Sequence, residues 1–263
     1  MRIALGIEYD GSRFHGWQTQ PDGHTVQDTL QSALRQIAGT AVPVLCAGRT
    51  DTGVHAREQI VHFDVEVERP DSAWVRGVNA LLPESVAVLW TRRVLPDFHA
   101  RYSALSRRYR YVMISRPVRP ALAARYAGWT HASLDAETMR KASLFLIGEH
   151  DFSSFRSSQC EAKTPVRTVQ EIAIERAGER IDFTFSANAF LHHMVRNIIG
   201  TLLQVGKGAQ APQWVREVLA ARDRRLAAQT AAPQGLYLES VRYDHRWELP
   251  VAPCAPLPLA VER

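Results

Sequence analysis

The sequence has few of the residues that cross-links, metal sites or membrane spans require. Its three cysteines, Cys46, Cys160 and Cys254, are odd in number and far apart among 263 residues, which predicts a reducing compartment and no cysteine-bound metal. No apolar run approaches the length of a membrane span, and the apolar N-terminal stretch is too short for a signal peptide. The sequence therefore predicts a cytoplasmic protein.

The motifs of nucleotide and zinc chemistry are also missing. There is no glycine-rich dinucleotide fingerprint, no P-loop and no HExxH pair, so nothing indicates a nucleotide cofactor or a catalytic metal. What is present, 46% hydrophobic and 22% charged residues, is typical of a soluble globular protein. At this length the chain could form one large domain or two small ones.

Acidic residues are absent from one long segment. Between Phe98 and Leu134 there is no Asp or Glu, while seven arginines occur there: Arg101, Arg107, Arg108, Arg110, Arg116, Arg119 and Arg125. The whole chain carries a net charge of +5, so the remaining residues have a slight acidic excess. Clustered arginine interleaved with aromatic residues indicates a polyanionic partner. The alternative is an ordinary solvated face.

Hydrophobic periodicity predicts the order β-α-β-β-α-β in the first half of the chain. The predicted elements are a strand at 2–10, a helix at 25–39, strands at 42–46 and 59–67, a helix at 71–82 and a strand at 86–94. Thr25 is a good cap for the first helix, and Asp28 suits its first turn. This order is that of ferredoxin-like domains.

The second half is predicted to repeat this plan. Its elements are a strand at 108–115, helices at 134–148, 190–205 and 213–221, hairpin strands at 166–175 and 180–186, and a last strand at 235–243. The fold class is therefore α+β, with two ferredoxin-like halves whose antiparallel-rich sheets join into one continuous sheet. We expect the halves at 1–104 and 105–248, followed by an extended Pro-rich tail at 249–263.

A polar loop at 47–56 is the first candidate for chemistry, because it presents Arg49, Asp51 and His55 within seven positions. Gly48 and Gly53 bound it, and glycine allows a sharp turn or a close approach to a ligand. Loops held between rigid strands often carry function. An aspartate near a glycine is nevertheless most often a simple turn residue.

Two further segments combine aromatic rings with cations. The loop at 11–20 carries Phe14 and Trp17, whose rings either anchor packing or contact unpaired bases. On the strand at 108–115, Tyr109 and Tyr111 share one face, and the intervening arginines lie on the other. A tyrosine on a strand is usually a half-buried sheet residue.

The apolar helix predicted at 190–205 carries His192, Arg196 and Gly200 at four-residue steps. A cation on such a helix is costly unless it is paired. The alternative is a surface arginine whose stem covers apolar area. His192 and His193, as neighbours on a helix with ~3.6 residues per turn, would point apart and would not share a metal ion.

The string Gly-Arg-Thr-Asp-Thr-Gly-Val-His-Ala at 48–56 resembles the nucleophile loop of the TruA family of tRNA pseudouridine synthases, whose aspartate is catalytic. The loop at 11–20, Arg-Arg-Tyr at 107–109, the helix around Arg196 and Gly-Leu-Tyr-Leu at 235–238 are similar to further motifs of that family. The resemblance spans nearly the whole chain and implies the pseudouridine synthase fold.

The resemblance implies a role for each candidate residue. Asp51 would be the catalytic carboxylate, Tyr109 would stack on the target uracil and take part in its proton transfer, and Arg196 would keep Asp51 ionised. Arg49 would enter the space that the base vacates, and Leu236 would line the floor of the uridine pocket. The residues expected to bind RNA are Arg13, Phe14, His15, Trp17, Arg101, Arg107, Arg108 and Arg110.

It also implies the reaction, which is the isomerisation of uridines 38, 39 and 40 of the tRNA anticodon stem-loop to pseudouridine by a homodimer. Breaking the N-glycosidic bond, turning the base and rejoining it through carbon requires no cofactor and no metal. Whether Asp51 attacks the sugar, attacks the base or acts as a base stays open. The alternatives are a non-catalytic RNA-binding module of ferredoxin-like fold and a metal-dependent nuclease.

Overall fold

The computed structural model describes residues 1–250, and the chain divides into two compact units. The first contains Met1–Leu105 together with the chain from Tyr237 onward, and the second contains Ser106–Leu236. The predicted halves met at 104/105 and left the last strand in the second half, whereas the structure groups this strand with the first unit from Tyr237 on. The predicted tail at 249–263 lies, beyond its first two residues, outside the described part of the chain.

The described residues form ten strands and four α-helices. In chain order they are β1 (Arg2–Tyr9), α1 (Val26–Ala38), β2 (Leu45–Cys46), β3 (His55–Asp64), β4 (Val86–Val94), β5 (Ala104–Ser115), β6 (Gly128–Thr130), α2 (Ala136–Ser143), β7 (Gly148–Asp151), β8 (Val166–Ala177), β9 (Arg180–Ala187), α3 (Met194–Gly206), α4 (Trp214–Ala221) and β10 (Leu236–Tyr243). No helix within residues 1–250 is long and apolar enough to cross a membrane.

In the first unit, β1 lies between β4 and β3 and pairs antiparallel with both. Residues 3–7 of β1 are all buried, because side chains on both faces of this central strand are covered. The short β2 pairs antiparallel with β3, and β10 pairs with β3 in parallel at Tyr237↔His55. The predicted ferredoxin-like order of elements is confirmed here.

Helix α1 begins and ends where the sequence predicted. The Thr25 side chain accepts a hydrogen bond from Asp28 N, which satisfies one of the donors left over at a helix start. Gly39 N donates to Arg35 O at the other end. The buried positions Val26, Leu30, Ala33 and Leu34 follow helical spacing, so one face of α1 contributes to the core of the first unit.

Two predicted helices have different bounds in the structure. The segment at 71–82 is a short helical stretch containing a π-helical turn, Ala73–Gly77. Its last helical residue is Asn79, whose side chain bonds both Val88 N and Val88 O of β4, at 2.7 and 2.9 Å. Helix α3 begins at Met194 rather than at 190, because His193 has a left-handed φ of 63° that interrupts helical geometry.

The second unit has the strand order β5-β9-β8-β7, with β6 parallel to β5 and the other pairings antiparallel. The predicted β8–β9 hairpin is confirmed. Strands β6 and β7 were not predicted, since three or four residues show too little alternation to be recognised. The predicted helix at 134–148 is shorter: α2 ends at Ser143, a 3-10 turn follows at Leu144–Leu146, and Gly148 already belongs to β7. The α+β class is confirmed.

Candidate active site

The aspartate loop, residues 47–54, connects β2 to β3 in the first unit. It is shorter than predicted because His55 already belongs to β3. Its first residues are held by two contacts: Ala47 N donates to Ile60 O at 2.8 Å, and the buried Gln59 amide bonds both the N–H and the C=O of Gly48. The start of the loop is therefore fixed to the strand that follows it.

Asp51 lies half-buried at the centre of this loop. Its carbonyl accepts a hydrogen bond from Val54 N at 3.1 Å, across a turn that Gly53 makes possible with a φ of 78°. On the other side, the buried Thr50 hydroxyl lies 2.7 Å from the Tyr9 hydroxyl of β1. The backbone on both sides of the Asp51 carboxylate is thus held by contacts within the first unit.

The loop at 11–20 packs directly against the aspartate loop. Trp17 N donates to Thr50 O at 3.0 Å, and a Cβ at Gly16 would lie only 2.7 Å from the same oxygen. Phe14 and Trp17 are 6% and 1% exposed, so both rings pack inside the unit. Their predicted contacts with RNA stay a prediction.

The cations of the same loop are on the surface. Arg13 and His15 are exposed, and His15 Nδ1 lies 2.6 Å from Asp22 Oδ2. Arg49 in the aspartate loop is exposed as well. The structure therefore leaves the predicted RNA-facing cations of this unit accessible to a ligand.

Tyr109 lies on β5 in the second unit, opposite Phe185 of β9. It is 8% exposed, and its ring meets the edge of the Phe190 ring at a centroid distance of 5.1 Å. Tyr111, on the same face of β5, donates from its hydroxyl to Ala232 O at 3.0 Å. The predicted alternation of tyrosines and arginines on β5 is confirmed by their burial.

Arg196 occupies the first turn of α3 and bonds Ala231 through both its side chain and its backbone. Its Nε donates to Ala231 O at 2.8 Å, and its own carbonyl accepts from Ala231 N at 3.0 Å. The segment can come so close because Gly200 has no side chain: a Cβ there would lie 1.9 Å from Gln229 O. This reciprocal pair ties Arg196 to the 229–231 segment.

The charge of Arg196 acts on a nearby buried tyrosine. Burial raises the pKa of Tyr111 above its ordinary value, and the positive charge of Arg196 opposes that shift. Tyr111 is therefore neutral at physiological pH and serves as a hydrogen-bond donor. The predicted partnership of Arg196 with Asp51 stays a prediction.

His192 and His193 do not lie on a helix as predicted, because α3 starts after them. Their rings are 4.0 Å apart between centroids, tilted by 40°. The helical geometry that was expected to separate them is absent, so the argument from it was wrong. His192 consequently does not continue the face that carries Arg196 and Gly200.

The arginines of the acid-free segment differ in their surroundings. Arg107 is buried and donates to Asn188 O at 2.8 Å, while Arg108 forms an ion pair with Glu171 at 2.8 Å. Arg101 is exposed beside Tyr102, whose ring centre lies 5.6 Å from the guanidinium carbon. Arg110 is half-buried, and Leu236 is buried at the first position of β10.

Comparison with known proteins decides which family these features belong to. The family described as tRNA pseudouridine synthase matches residues 6–103 and 142–244. The chain belongs to the tRNA pseudouridine synthase family.

Curated relatives cover nearly the full length on both sides. Proteins named tRNA pseudouridine synthase A are 56% identical over 251 residues in Bordetella avium (95% of this chain, 94% of the relative) and 54% over 250 residues in Dechloromonas aromatica (95% of each). In Paraburkholderia xenovorans the identity is 52% over 257 residues, 98% of this chain and 95% of the relative.

A solved Cbf5–Nop10–Gar1 complex aligns at 12% identity over 76% of this chain and 45% of that chain, with a TM-score of 0.34. A score that low does not establish a shared fold. Membership of the tRNA pseudouridine synthase family rests on the sequence matches, and with it the chain is an isomerase with the pseudouridine synthase fold.

Several residues that position the family's aspartate loop carried no signal in the sequence. Gln59 was predicted only as the start of a strand, and Tyr9 only as a strand residue. Trp17 was predicted as an RNA contact, although its backbone supports Thr50. Each acts through a contact between residues more than ten positions apart, which periodicity and local motifs do not report.

Proposed function

We propose that this tRNA pseudouridine synthase isomerises uridines 38, 39 and 40 of the anticodon stem-loop, with Asp51 as the catalytic carboxylate. The observation that carries the proposal is the aspartate loop, in which a family motif coincides with a backbone held on both sides of Asp51. A carboxylate with a fixed backbone and a half-buried side chain suits a nucleophile or a base. Its mode of action is left open.

The second unit supplies the other groups of the proposal. Tyr109, on β5, is proposed to stack on the target uracil, an interaction worth ~1–3 kcal/mol per base. That gain would offset much of the few kcal/mol needed to flip the base. Arg196, with its guanidinium held by Ala231, is proposed to keep Asp51 ionised. Leu236 is proposed to line the uridine pocket, and Arg49 to enter the space left by the base.

The assembly and the location belong to the same proposal. The enzyme acts as a homodimer in the cytoplasm, and the exposed cations Arg13, His15 and Arg101 contact the RNA backbone, assisted by Arg107, Arg108 and Arg110. Because these contacts neutralise phosphates, tRNA binding should weaken steeply as salt increases. The mass in solution, measured by light scattering with and without tRNA, tests the dimer.

We expect Asp51→Asn to keep tRNA binding and to lose pseudouridine formation, because the amide retains the shape of the carboxylate without its charge or nucleophilicity. The measurement is tritium release from tRNA labelled at uracil C5, with mapping of the modified positions. Asp71→Asn is the matched control, since Asp71 is exposed and the charge change is the same. Full turnover by Asp51→Asn would remove Asp51 from its role.

The alternatives make different predictions in the same assay. A non-catalytic RNA-binding module would bind tRNA and release no tritium at all. A metal-dependent nuclease would cleave the RNA and stop in EDTA, whereas isomerisation of intact tRNA should continue in EDTA.

A further inference from the structure

A pocket of about 520 Å³ is lined by residues of the second unit. Its lining comes from three stretches of the chain: 153–158, the start of α3 at His193 and Asn197, and 224–230. No acidic side chain is among the lining residues. The volume is in the range of small-ligand sites, about 300–1,000 Å³.

Two arginines of this pocket have only neutral partners. The guanidinium of Arg224 donates to Ala227 O at 3.2 Å, to Asn197 Oδ1 at 3.1 Å and to Thr230 Oγ1 at 3.1 Å. The guanidinium of Arg156 donates to the carbonyl of Cys160. Within residues 1–250, neither guanidinium has a carboxylate within 4.0 Å.

The neighbouring arginine shows what an ordinary surface pair looks like. Arg225 is exposed and makes a two-pronged ion pair with Asp223, with Nη2–Oδ2 at 2.7 Å. Arg224, one residue earlier, is half-buried, and burial lowers its pKa from the ordinary value. A guanidinium nevertheless keeps its proton in proteins, so Arg156 and Arg224 bring two positive charges to the pocket, and their own hydrogen-bond partners are neutral.

The position of Arg224 is fixed by a buried asparagine. Asn197 is fully buried, and its Nδ2 donates to Phe155 O at 2.8 Å while its Oδ1 accepts from Arg224 and from Thr230 Oγ1. This network aligns the guanidinium before any ligand arrives. A half-buried charge whose partners are all neutral costs stability, which indicates that a bound anion supplies the missing negative charge.

The chemistry of the lining indicates which anion fits. Guanidinium groups match the oxygens of a phosphate in two-pronged geometry, and the serines at 153, 157 and 158 add hydroxyl groups to the same wall. The side chain of Ser158 is exposed and makes no hydrogen bond with residues 1–250. The pocket exceeds the size of one phosphate, which leaves room for the groups attached to it.

We infer that this pocket binds one phosphate group, and that in the working enzyme the group is a backbone phosphodiester of the tRNA. The second part rests on the proposed function, because it requires an RNA substrate. Arg156 and Arg224 are binding residues in this proposal, and they touch no reacting atom. The same chemistry could come from free phosphate, which the experiment separates from RNA.

The experiment adds a negative charge to the pocket with Ser158→Glu and compares it with Gln159→Glu, which adds the same charge at an exposed neighbour outside the lining. Each substitution is combined with Asp51→Asn, so that the enzyme is inactive, and tRNA binding is measured by fluorescence anisotropy at several salt concentrations. We expect Ser158→Glu to weaken tRNA binding about tenfold. The slope of log K against log salt concentration should become shallower by roughly 0.7–0.9, the value for one lost phosphate contact. Gln159→Glu should change the affinity less than threefold.

A second pair of variants each removes a positive charge, one inside the pocket and one beside it. Arg224→Gln should weaken tRNA binding to a similar extent, whereas Arg225→Gln should leave the affinity near that of the parent because its charge is already matched by Asp223. Thermal unfolding of each variant checks that the fold is retained. If Arg224→Gln fails to fold, Ser158→Glu still decides, because that side chain supports no other residue.

Titration of inorganic phosphate into the parent and into Ser158→Glu, followed by calorimetry, separates the two sources. If Ser158→Glu loses phosphate binding but keeps its tRNA affinity, the pocket is a phosphate site and its ligand is free phosphate, not the tRNA backbone. Unchanged tRNA affinity and no phosphate binding in any protein would overturn the inference. Turnover by the wild-type enzyme is scored separately, so failure of the pocket and failure of the proposed isomerisation are distinguishable.

Discussion

At the scale of single residues, His62 shows how the fold changes the chemistry of a side chain that has no proposed part in the reaction. It is 2% exposed on β3, its Nδ1 accepts a hydrogen bond from Ala100 N at 3.1 Å, and its ring lies 4.8 Å from that of His99. Burial, assisted by the charges of His99 and Arg2, lowers the pKa of His62 to about 4. The ring is neutral in the folded protein at neutral pH.

Acidification should therefore destabilise the protein in a defined range. Between the ordinary pKa of 6.5 and the folded value of about 4, the unfolded chain binds the proton more readily, so the free energy of unfolding falls as pH falls. Between pH 7 and pH 5 the contribution of His62 is about 2 kcal/mol. Urea unfolding at pH 7 and at pH 5 measures this difference in the free energy of unfolding.

The matched variants are His62→Gln, which keeps an acceptor for Ala100 N, and His245→Gln, whose side chain is almost fully exposed. His62→Gln should lose most of that contribution, and His245→Gln should retain it. An identical pH dependence in the wild type and in His62→Gln would show that the buried ring does not titrate as described.

At the scale of elements, α3 works as a support for Arg196 because its surface accepts another backbone. The apolar stripe predicted for this segment, Leu191, Met194, Ile198, Leu202 and Val205, is entirely buried, which anchors the helix. On another face, Gly200 admits the carbonyl of Gln229, and Ala231 then pairs with Arg196. The position of the Arg196 guanidinium therefore depends on the absence of a side chain at Gly200, one turn further along α3.

Gly200→Ala should disturb the site without touching a proposed catalytic residue. The added Cβ would lie 1.9 Å from Gln229 O, so the 229–231 segment must move and the bond from Arg196 to Ala231 is strained. We expect a loss of stability of about 1–3 kcal/mol, typical of overpacking, and a lower rate of pseudouridine formation. Chemical unfolding and tritium release measure the two effects.

Gly206→Ala on the same helix is the control. Its Cβ would meet the end of the Met139 side chain at 2.7 Å, and a flexible thioether can move aside. A Gly200→Ala variant as active and as stable as Gly206→Ala would contradict the supporting role of the 229–231 segment.

At the scale of the whole molecule, the first unit is completed by the end of the described chain. Strand β10 pairs with β3, Glu239 forms an ion pair with Arg57 at 3.2 Å, and the Tyr243 hydroxyl donates to Ala100 O. The rings of Tyr243 and Trp247 lie 5.3 and 5.1 Å from that of the buried Phe98. The first unit therefore requires residues that the chain reaches only after the second unit is made.

A fragment of residues 1–105 should consequently fail to fold alone. We expect it to show no cooperative thermal unfolding, because β3 loses a partner strand and Phe98 is uncovered. The same fragment joined through a glycine-rich linker to 236–250 should regain a cooperative transition, followed by circular dichroism. A linked control with the sequence of 236–250 shuffled should not. Cooperative unfolding of 1–105 by itself would contradict this dependence.

The sequence by itself determined the family, the α+β class, the bounds of β1, α1 and β4, and the loop that carries Asp51. These depend on local periodicity, on capping at Thr25 and Gly39 and on a contiguous motif, all of which are written within a few residues. It also indicated the arginine excess between Phe98 and Leu134, because charge is a property of composition.

Only the tertiary structure decided which of those residues support the site and which are available to a ligand. It assigned Phe14 and Trp17 to packing, started α3 after His193, and returned the last strand to the first unit. It also brought Arg156 and Arg224 into one pocket from positions 68 residues apart. These outcomes depend on contacts between distant segments, where burial and backbone hydrogen bonding outweigh local preference.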